Sequence, residues 1–232
     1  FMTNYLNKKK SKVPMIYDNW DIYSKYQYGG LIGSLMKFCH TKLESNLPKK
    51  NYHKVLEIGP GPHPHVQYIN HSFEKYYILE RKIIAINQYK KLKYNNIIIK
   101  TYKSSKIPFK NNFFDRIIMS HVLEHISNPE EFIFEVMSKL KKGGVLSIAL
   151  PTDPGLFWRS GRMFSKIFSI KNTLKISPEK YDYINAKDHV NSIYSLYSII
   201  KYHYRKKLIE QYLPFRIKFF DLNLFYNVHI IK

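Results

Sequence analysis

Hydrophobic residues in this chain gather into short unbroken runs separated by longer amphipathic stretches. Lys54 to Ile58, Tyr76 to Leu79, Asn96 to Thr101, Phe114 to Ser120 and Val145 to Leu150 are rich in Ile, Val, Leu, Tyr or Phe. Such runs predict buried strands, as in a parallel sheet. Helices are predicted between them, over Val66 to Phe73, Ile83 to Leu92 and the stretch that starts at Asn128. There Asn128-Pro129-Glu130-Glu131 offers a cap, a proline at the first position and an acidic first turn. Ile133, Val136, Met137 and Leu140 then share one face, and Gly143 is expected to end the helix. Ahead of the first strand, Leu31, Leu35 and Phe38 lie on one face of a helical preface. Beyond the fifth, residues 151–190 break the alternation with Leu156, Phe157, Trp158, Met163, Phe164, Ile167 and Phe168 among Arg159, Arg162 and Lys166. An inserted helix is expected there. Val190 to Tyr204 predicts another helix, and Leu208 to Leu213 and Leu222 to Ile231 an antiparallel pair of strands. The expected fold class is α/β, a Rossmann-like doubly wound sheet of seven strands, mostly parallel with an antiparallel C-terminal strand.

The stretch of most chemical content is Val55-Leu56-Glu57-Ile58-Gly59-Pro60-Gly61-Pro62. A buried strand that breaks into a glycine turn ahead of a helix is the nucleotide-binding entry of a doubly wound sheet. The pattern G-x-G-x-x-G is left incomplete, because Pro64 stands at its third glycine. Pro60, Pro62 and Pro64 also remove backbone N–H groups that a pyrophosphate would need. Gly59 and Gly61 still allow a close approach, and Glu57 would repel phosphate while suiting a cationic ligand. A sulfonium cofactor, S-adenosylmethionine, fits this loop better than NAD or ATP.

Further pieces follow in order: Glu80 closing the second strand, Ile107-Pro108-Phe109 before Phe114-Asp115-Arg116-Ile117-Ile118, His121-Val122-Leu123-Glu124-His125, and Lys142-Gly143-Gly144-Val145-Leu146. Across residues 50–152 the chain resembles class I S-adenosylmethionine-dependent methyltransferases, of the small-molecule branch. It departs from them at His63, where many members carry a small residue. The resemblance implies one domain over 1–232: a helical preface or lid (1–50), a cofactor-binding core (51–150), an insertion over the acceptor cleft (151–190), and a C-terminal helix with strands (191–232). It implies cofactor contacts from Glu57, Gly59, Pro60, Gly61, Glu80, Ser120 and His121, with Glu80 on the ribose hydroxyls. Ser104 falls in the loop that holds adenine in related enzymes. Tyr23, Tyr26 and Tyr28 are lid candidates, with plain packing as the alternative.

The formal charge of +21 raises nucleic acid as a partner. The basic residues are scattered, however, and accompany an over-use of Lys, Asn, Ile and Tyr, so the charge is expected to be mainly solvated surface. Nucleic acid is therefore possible and not favoured. Peripheral membrane contact is the other possibility, and the oligomeric state is open. The single cysteine, Cys39, excludes an internal disulfide and fits a reducing cytoplasm. No run approaches the length of a membrane span.

Candidate acid–base groups near the acceptor are His125, Asp153 and His189. Arg159 and Arg162, three apart, are expected to share a helix face and grip an anion. His121 to His125 also fits H-x-x-E-H, but so short a stretch between a strand and Asn128-Pro129 argues against a zinc-protease helix. No metal is expected. The expected function is O-methylation of a small-molecule or saccharide-like acceptor. The alternatives are an RNA methyltransferase that is metal-assisted, its ion held by Glu124, His125 and a distant His189, or a non-catalytic cofactor-binding protein.

Overall fold

A computed structural model describes residues 20–81, 85, 89, 95–102, 106–168 and 174–232. Seven strands form one sheet: β1 (Lys54–Ile58), β2 (Lys75–Glu80), β3 (Ile97–Thr101), β4 (Phe114–Ser120), β5 (Leu140–Pro151), β6 (Leu208–Leu213) and β7 (Phe225–Ile231). Their order is β3-β2-β1-β4-β5-β7-β6. The first five strands pair in parallel, and β7 runs antiparallel to both β5 and β6. This is the doubly wound sheet that the hydrophobic runs predict. Strand order reverses between β1 and β4, so the ends of these two strands open the crevice where such sheets bind ligands.

Helices cover both faces. On one lie α3 (Pro129–Lys139) and α6 (Ile193–Tyr204), whose Phe132, Ile133, Val136, Leu196 and Ile200 pack with Leu56, Ile117 and Leu146. On the other lies α2 (Gly30–Ser45), whose Met36, Cys39 and Leu43 meet Val55, Tyr76, Ile118 and Val145. The short α1 (Trp20–Tyr28) precedes it, and α4 (Leu156–Phe168) and α5 (Pro178–Asp188) fill the insertion.

Five local expectations are corrected. The helix expected over Val66 to Phe73 is only a 3-10 turn, His65–Tyr68. Pro60, Pro62 and Pro64 withhold N–H groups, and carboxylates take two others: His65 N donates to Glu57 and Asn70 N to Glu44. Strand β3 is the sheet's edge, paired with β2 alone, so its residues are half-buried or exposed rather than buried. Helix α3 ends at Lys139 rather than at Gly143. The chain turns straight into β5, which carries Gly143 and Gly144 within it. Asn128 does precede α3, but its side chain makes no cap and contacts Glu131 instead. The insertion holds two helices where one was expected. Residues 1–12 and most of Ile83 to Leu92 lie outside the described residues. Ala85 and Tyr89 of that stretch are buried beside Val55 and Tyr76.

One large polar cluster crosses the α2 face. Arg116, fully buried in β4, meets Glu44 of α2 with both terminal nitrogens, at 2.5 and 3.1 Å. Its Nε donates to Ser147 at 3.0 Å, while His65 Nε2 lies 2.7 Å from the same carboxylate. Burial opposes the charge on Glu44, but Arg116 and His65 outweigh it and hold the carboxyl well below its usual range.

Candidate active site

The glycine turn leaves β1 at the switch point. Gly59 and Gly61 both have positive φ, 61° and 64°, which only glycine adopts without strain. A Cβ on Gly59 would press Val122 at 3.3 Å, whereas one on Gly61 would meet nothing within 4 Å. The backbone at Gly61 thus borders open space, where a ligand can approach closely. That space is a cleft of about 410 Å³, in the size range of ligand pockets.

Around it the fold gathers Gly59, Pro60, Gly61, Glu80, Ser120, His121, His125 and His189. Glu80 closes β2 beneath the turn. Its Oε2 lies 3.4 Å from Gly61 N, its Oε1 accepts from Arg81 N at 2.7 Å, and Tyr89 donates to the carbonyl of Gly61. A carboxylate so fixed at the end of the second strand stands where ribose hydroxyls are bound in nucleotide-binding sheets. Ser120 ends β4, and His121 follows it in the left-handed region at φ 55°. A non-glycine residue held there is a local strain of the kind found beside ligands.

Glu57 and Asp153 do not line the cleft. Glu57 is buried behind the glycine turn, accepting from His65 N at 2.6 Å and Tyr76 Oη at 2.7 Å. Burial pushes its carboxyl up to about 7 against these hydrogen bonds. Its place is under the loop rather than on a ligand. Ser104 lies outside the described residues. Of the lid candidates, Tyr26 and Tyr28 line the cleft, while the Tyr23 side chain is outside the described residues. Tyr28 stacks on His63 at 3.9 Å, and Tyr26 bonds Ser165 of α4 and Tyr181 of α5. Arg81 and Tyr102, at 4.9 Å from each other, add a cation–aromatic pair to the wall near Glu80. The sequence reading gave neither of these two a role at the site, because nothing in their local pattern distinguishes them, whereas Trp158, named in the insertion expected over the acceptor cleft, does line the cleft.

Opposite the glycine turn stands a wall of imidazoles. Val190 N and Asn191 N donate to Glu124 O, and Asn191 Nδ2 donates to Leu123 O and Ile126 O. This clamp lays the end of α5 against the turn after β4 and brings His189 beside His125, ring centroids 5.0 Å apart. His189 Nδ1 lies 2.9 Å from Asp153 Oδ2, which Arg162 also binds. Arg162 is thus engaged by Asp153, whereas Arg159, expected to share its helix face, is exposed. His125 Nδ1 lies 3.0 Å from Asp188 O, and burial lowers its pKa, favouring the neutral ring. Glu124 is buried; burial resists its charge, yet the imidazoles of His121, His125 and His189 keep its pKa below the usual value. Glu124, His125 and His189 offer ligand atoms within 4.8 Å of one another, enough to hold a metal ion.

Among the described residues five buried side-chain polar atoms lack a partner, and three of them, Ser120 Oγ, Glu124 Oε2 and Trp158 Nε1, belong to residues lining this cleft. Buried polar groups are almost always satisfied, so their concentration here marks a surface built for a polar ligand.

A methyltransferase-domain family model matches residues 30–198. This chain belongs to that methyltransferase family. The plantazolicin methyltransferase BpumL, solved with a desmethylPZN analogue and SAH, superposes with a TM-score of 0.63 at 16% identity, over 93% of this chain and 90% of BpumL. The CurJ carbon methyltransferase gives 0.62 at 16% identity, over 92% of this chain and 58% of CurJ. A SAM-dependent methyltransferase from Aquifex aeolicus gives 0.56 at 18%, over 90% and 97%. At these identities the likeness establishes the fold. Curated protein sequences give no match. The methyltransferase is thus S-adenosylmethionine-dependent. The glycine turn, the Glu80 carboxylate and the unpartnered polar atoms fit that cofactor, which would lie along Gly59–Gly61 and Glu80.

Proposed function

We propose that this methyltransferase transfers a methyl group to a hydroxyl of a small, polar, saccharide-like acceptor, with His189 as the base. One observation carries the reading. His189 lines the cleft with Nδ1 against the Asp153 carboxylate, which makes Nδ1–H the donor and leaves Nε2 basic. The bound cofactor supplies an electrophilic methyl on sulfonium. With the cofactor held along Gly59–Gly61 and Glu80, His189 Nε2 would take the proton from the acceptor hydroxyl. Asp153 steadies the imidazolium that forms, as a carboxylate behind a histidine does in other bases. The cavity supports a small acceptor, since about 410 Å³ must take both cofactor and acceptor.

A second reading rests on a separate observation, the ligand set of Glu124, His125 and His189 together with the unpartnered Glu124 Oε2. Those groups suit a divalent transition ion that would polarise an acceptor hydroxyl, as in a metal-assisted RNA methyltransferase. Labelled S-adenosylmethionine incubated with fractionated cell extract separates the two. Label in the small-molecule fraction supports the first, and label in RNA the second.

A further inference from the structure

Helix α4 sits with its oily side out. Its inner side is fastened by polar contacts: Arg162 to Asp153, buried Ser165 to Tyr26 at 2.7 Å, and Lys166 to Asp182 at 2.5 Å. These fix the rotation of the helix, and on the outer side they leave Leu156, Met163 and Ile167 exposed at 49, 57 and 61%. Beside it runs the loop after β6, where Phe215, Ile217 and Phe219 are exposed at 55, 49 and 53% and alternate with exposed Arg216 and Lys218. The two segments form one surface. Leu156 N donates to Asp221 at 2.9 Å, and the rings of Phe157 and Phe215 are 5.7 Å apart. Among the described residues fourteen large hydrophobic side chains are exposed, and eight belong to α4 and this loop. Scattered exposed residues need no explanation, whereas a concentration of this kind marks an interaction surface.

We propose that this face docks on an anionic lipid bilayer. The argument is complementarity. Arg159, Arg216 and Lys218 are exposed among the apolar groups, on a chain of net charge +21. An apolar stripe within a cationic surround is what a surface-lying helix presents to acidic headgroups and the acyl boundary beneath them. A second copy of the chain is disfavoured, because the same cations would face each other. Nucleic acid is disfavoured too, since half of the eight exposed groups, Leu156, Met163, Ile167 and Ile217, are aliphatic and cannot stack with bases. Trp158 of the same helix lines the cleft. Docking would therefore set the cleft beside the membrane surface, within reach of an amphiphilic acceptor.

Sedimentation with vesicles tests the proposal using the whole chain. Wild type should pellet with phosphatidylglycerol–phosphatidylcholine vesicles and stay in solution with phosphatidylcholine alone. A variant with Met163→Ser, Ile167→Ser, Phe215→Ser and Ile217→Ser, and a second with Arg159→Glu and Lys218→Glu, should each bind at least about tenfold more weakly. Both should keep the wild-type circular dichroism spectrum and affinity for S-adenosylhomocysteine. Failure of wild type to pellet overturns the proposal. So does equal binding by the apolar variant, which would reduce the effect to overall charge. Concentration-dependent dimers, or RNA retention lost in these variants, would assign the face to another partner and overturn it as well.

Discussion

Glu44 of α2 and Arg116 of β4, far apart in the chain, face each other as a doubly bonded ion pair with neither side chain reaching solvent. The pair ties the N-terminal preface to the centre of the sheet. It stands next to His65, at the start of the 3-10 turn that replaces an expected helix. A buried pair need not outperform apolar packing, but removing one partner strands a charge. Arg116→Met should therefore destabilise the protein by about 3 to 5 kcal/mol. The double change Glu44→Gln with Arg116→Met should recover a good part of that loss, as measured by urea denaturation.

The same pair sets behaviour in acid. Glu44 has a folded pKa below its ordinary 4.5, so its contribution is complete above pH 4.5 and falls away as the pH drops further. Stability measured against pH should decline below that point in the wild type. In the Glu44→Gln, Arg116→Met variant the decline should be shallower.

Glu57 works in the opposite direction. Its folded pKa is raised from 4.5 to about 7, so its protonated form favours the fold and that contribution is lost as pH rises through 7. Glu57→Gln keeps the hydrogen-bonding shape without the charge. It should flatten the loss of stability between pH 4.5 and about 7, worth roughly 3 kcal/mol from the size of the shift. Cofactor affinity should be unchanged, because Glu57 lies behind the turn. A large loss of affinity would return Glu57 to the ligand.

Much of this fold is legible in the chain because strands buried in a sheet must be apolar, and the runs at Val55, Tyr76, Ile117 and Val145 say so directly. The missing helix after Gly61 was harder to see. Its cause is partly local, in three prolines, and partly remote, since Glu44 and Glu57 take N–H groups that a helix would have used. The glycine turn and Glu80 are legible because their roles depend on short spacings. The members of the imidazole wall, His121, His125 and His189, were named from the sequence and the structure does bring them together, but the contact that does so, Asn191 gripping the turn after β4, joins distant segments and has no local pattern. Ser104 remains an expectation about residues outside those described.

The base assignment makes a kinetic prediction. His189→Ala should lower turnover by about 10²- to 10⁴-fold while leaving cofactor affinity within twofold or so. Asp153→Asn should act in the same direction and less strongly, by misorienting the ring. Single-turnover methyl transfer, once an acceptor is known, reads both.

The ion-binding reading is checked by elemental analysis. On the metal-free account, protein purified without added metal carries no stoichiometric ion, and chelators leave transfer unaffected. One ion per chain, lost together with activity in His125→Ala, would favour the metal-assisted reading.

The claim on which everything else depends is that S-adenosylmethionine binds along the glycine turn with its ribose on Glu80. Titration calorimetry tests it most directly. S-adenosylmethionine and S-adenosylhomocysteine should bind the wild type while NAD and ATP give no heat. Glu80→Ala should weaken binding by about 1 to 3 kcal/mol, the cost of leaving buried hydroxyls unpaired. Tight binding of NAD, or a Glu80→Ala protein that binds S-adenosylmethionine as well as the wild type does, would contradict the account.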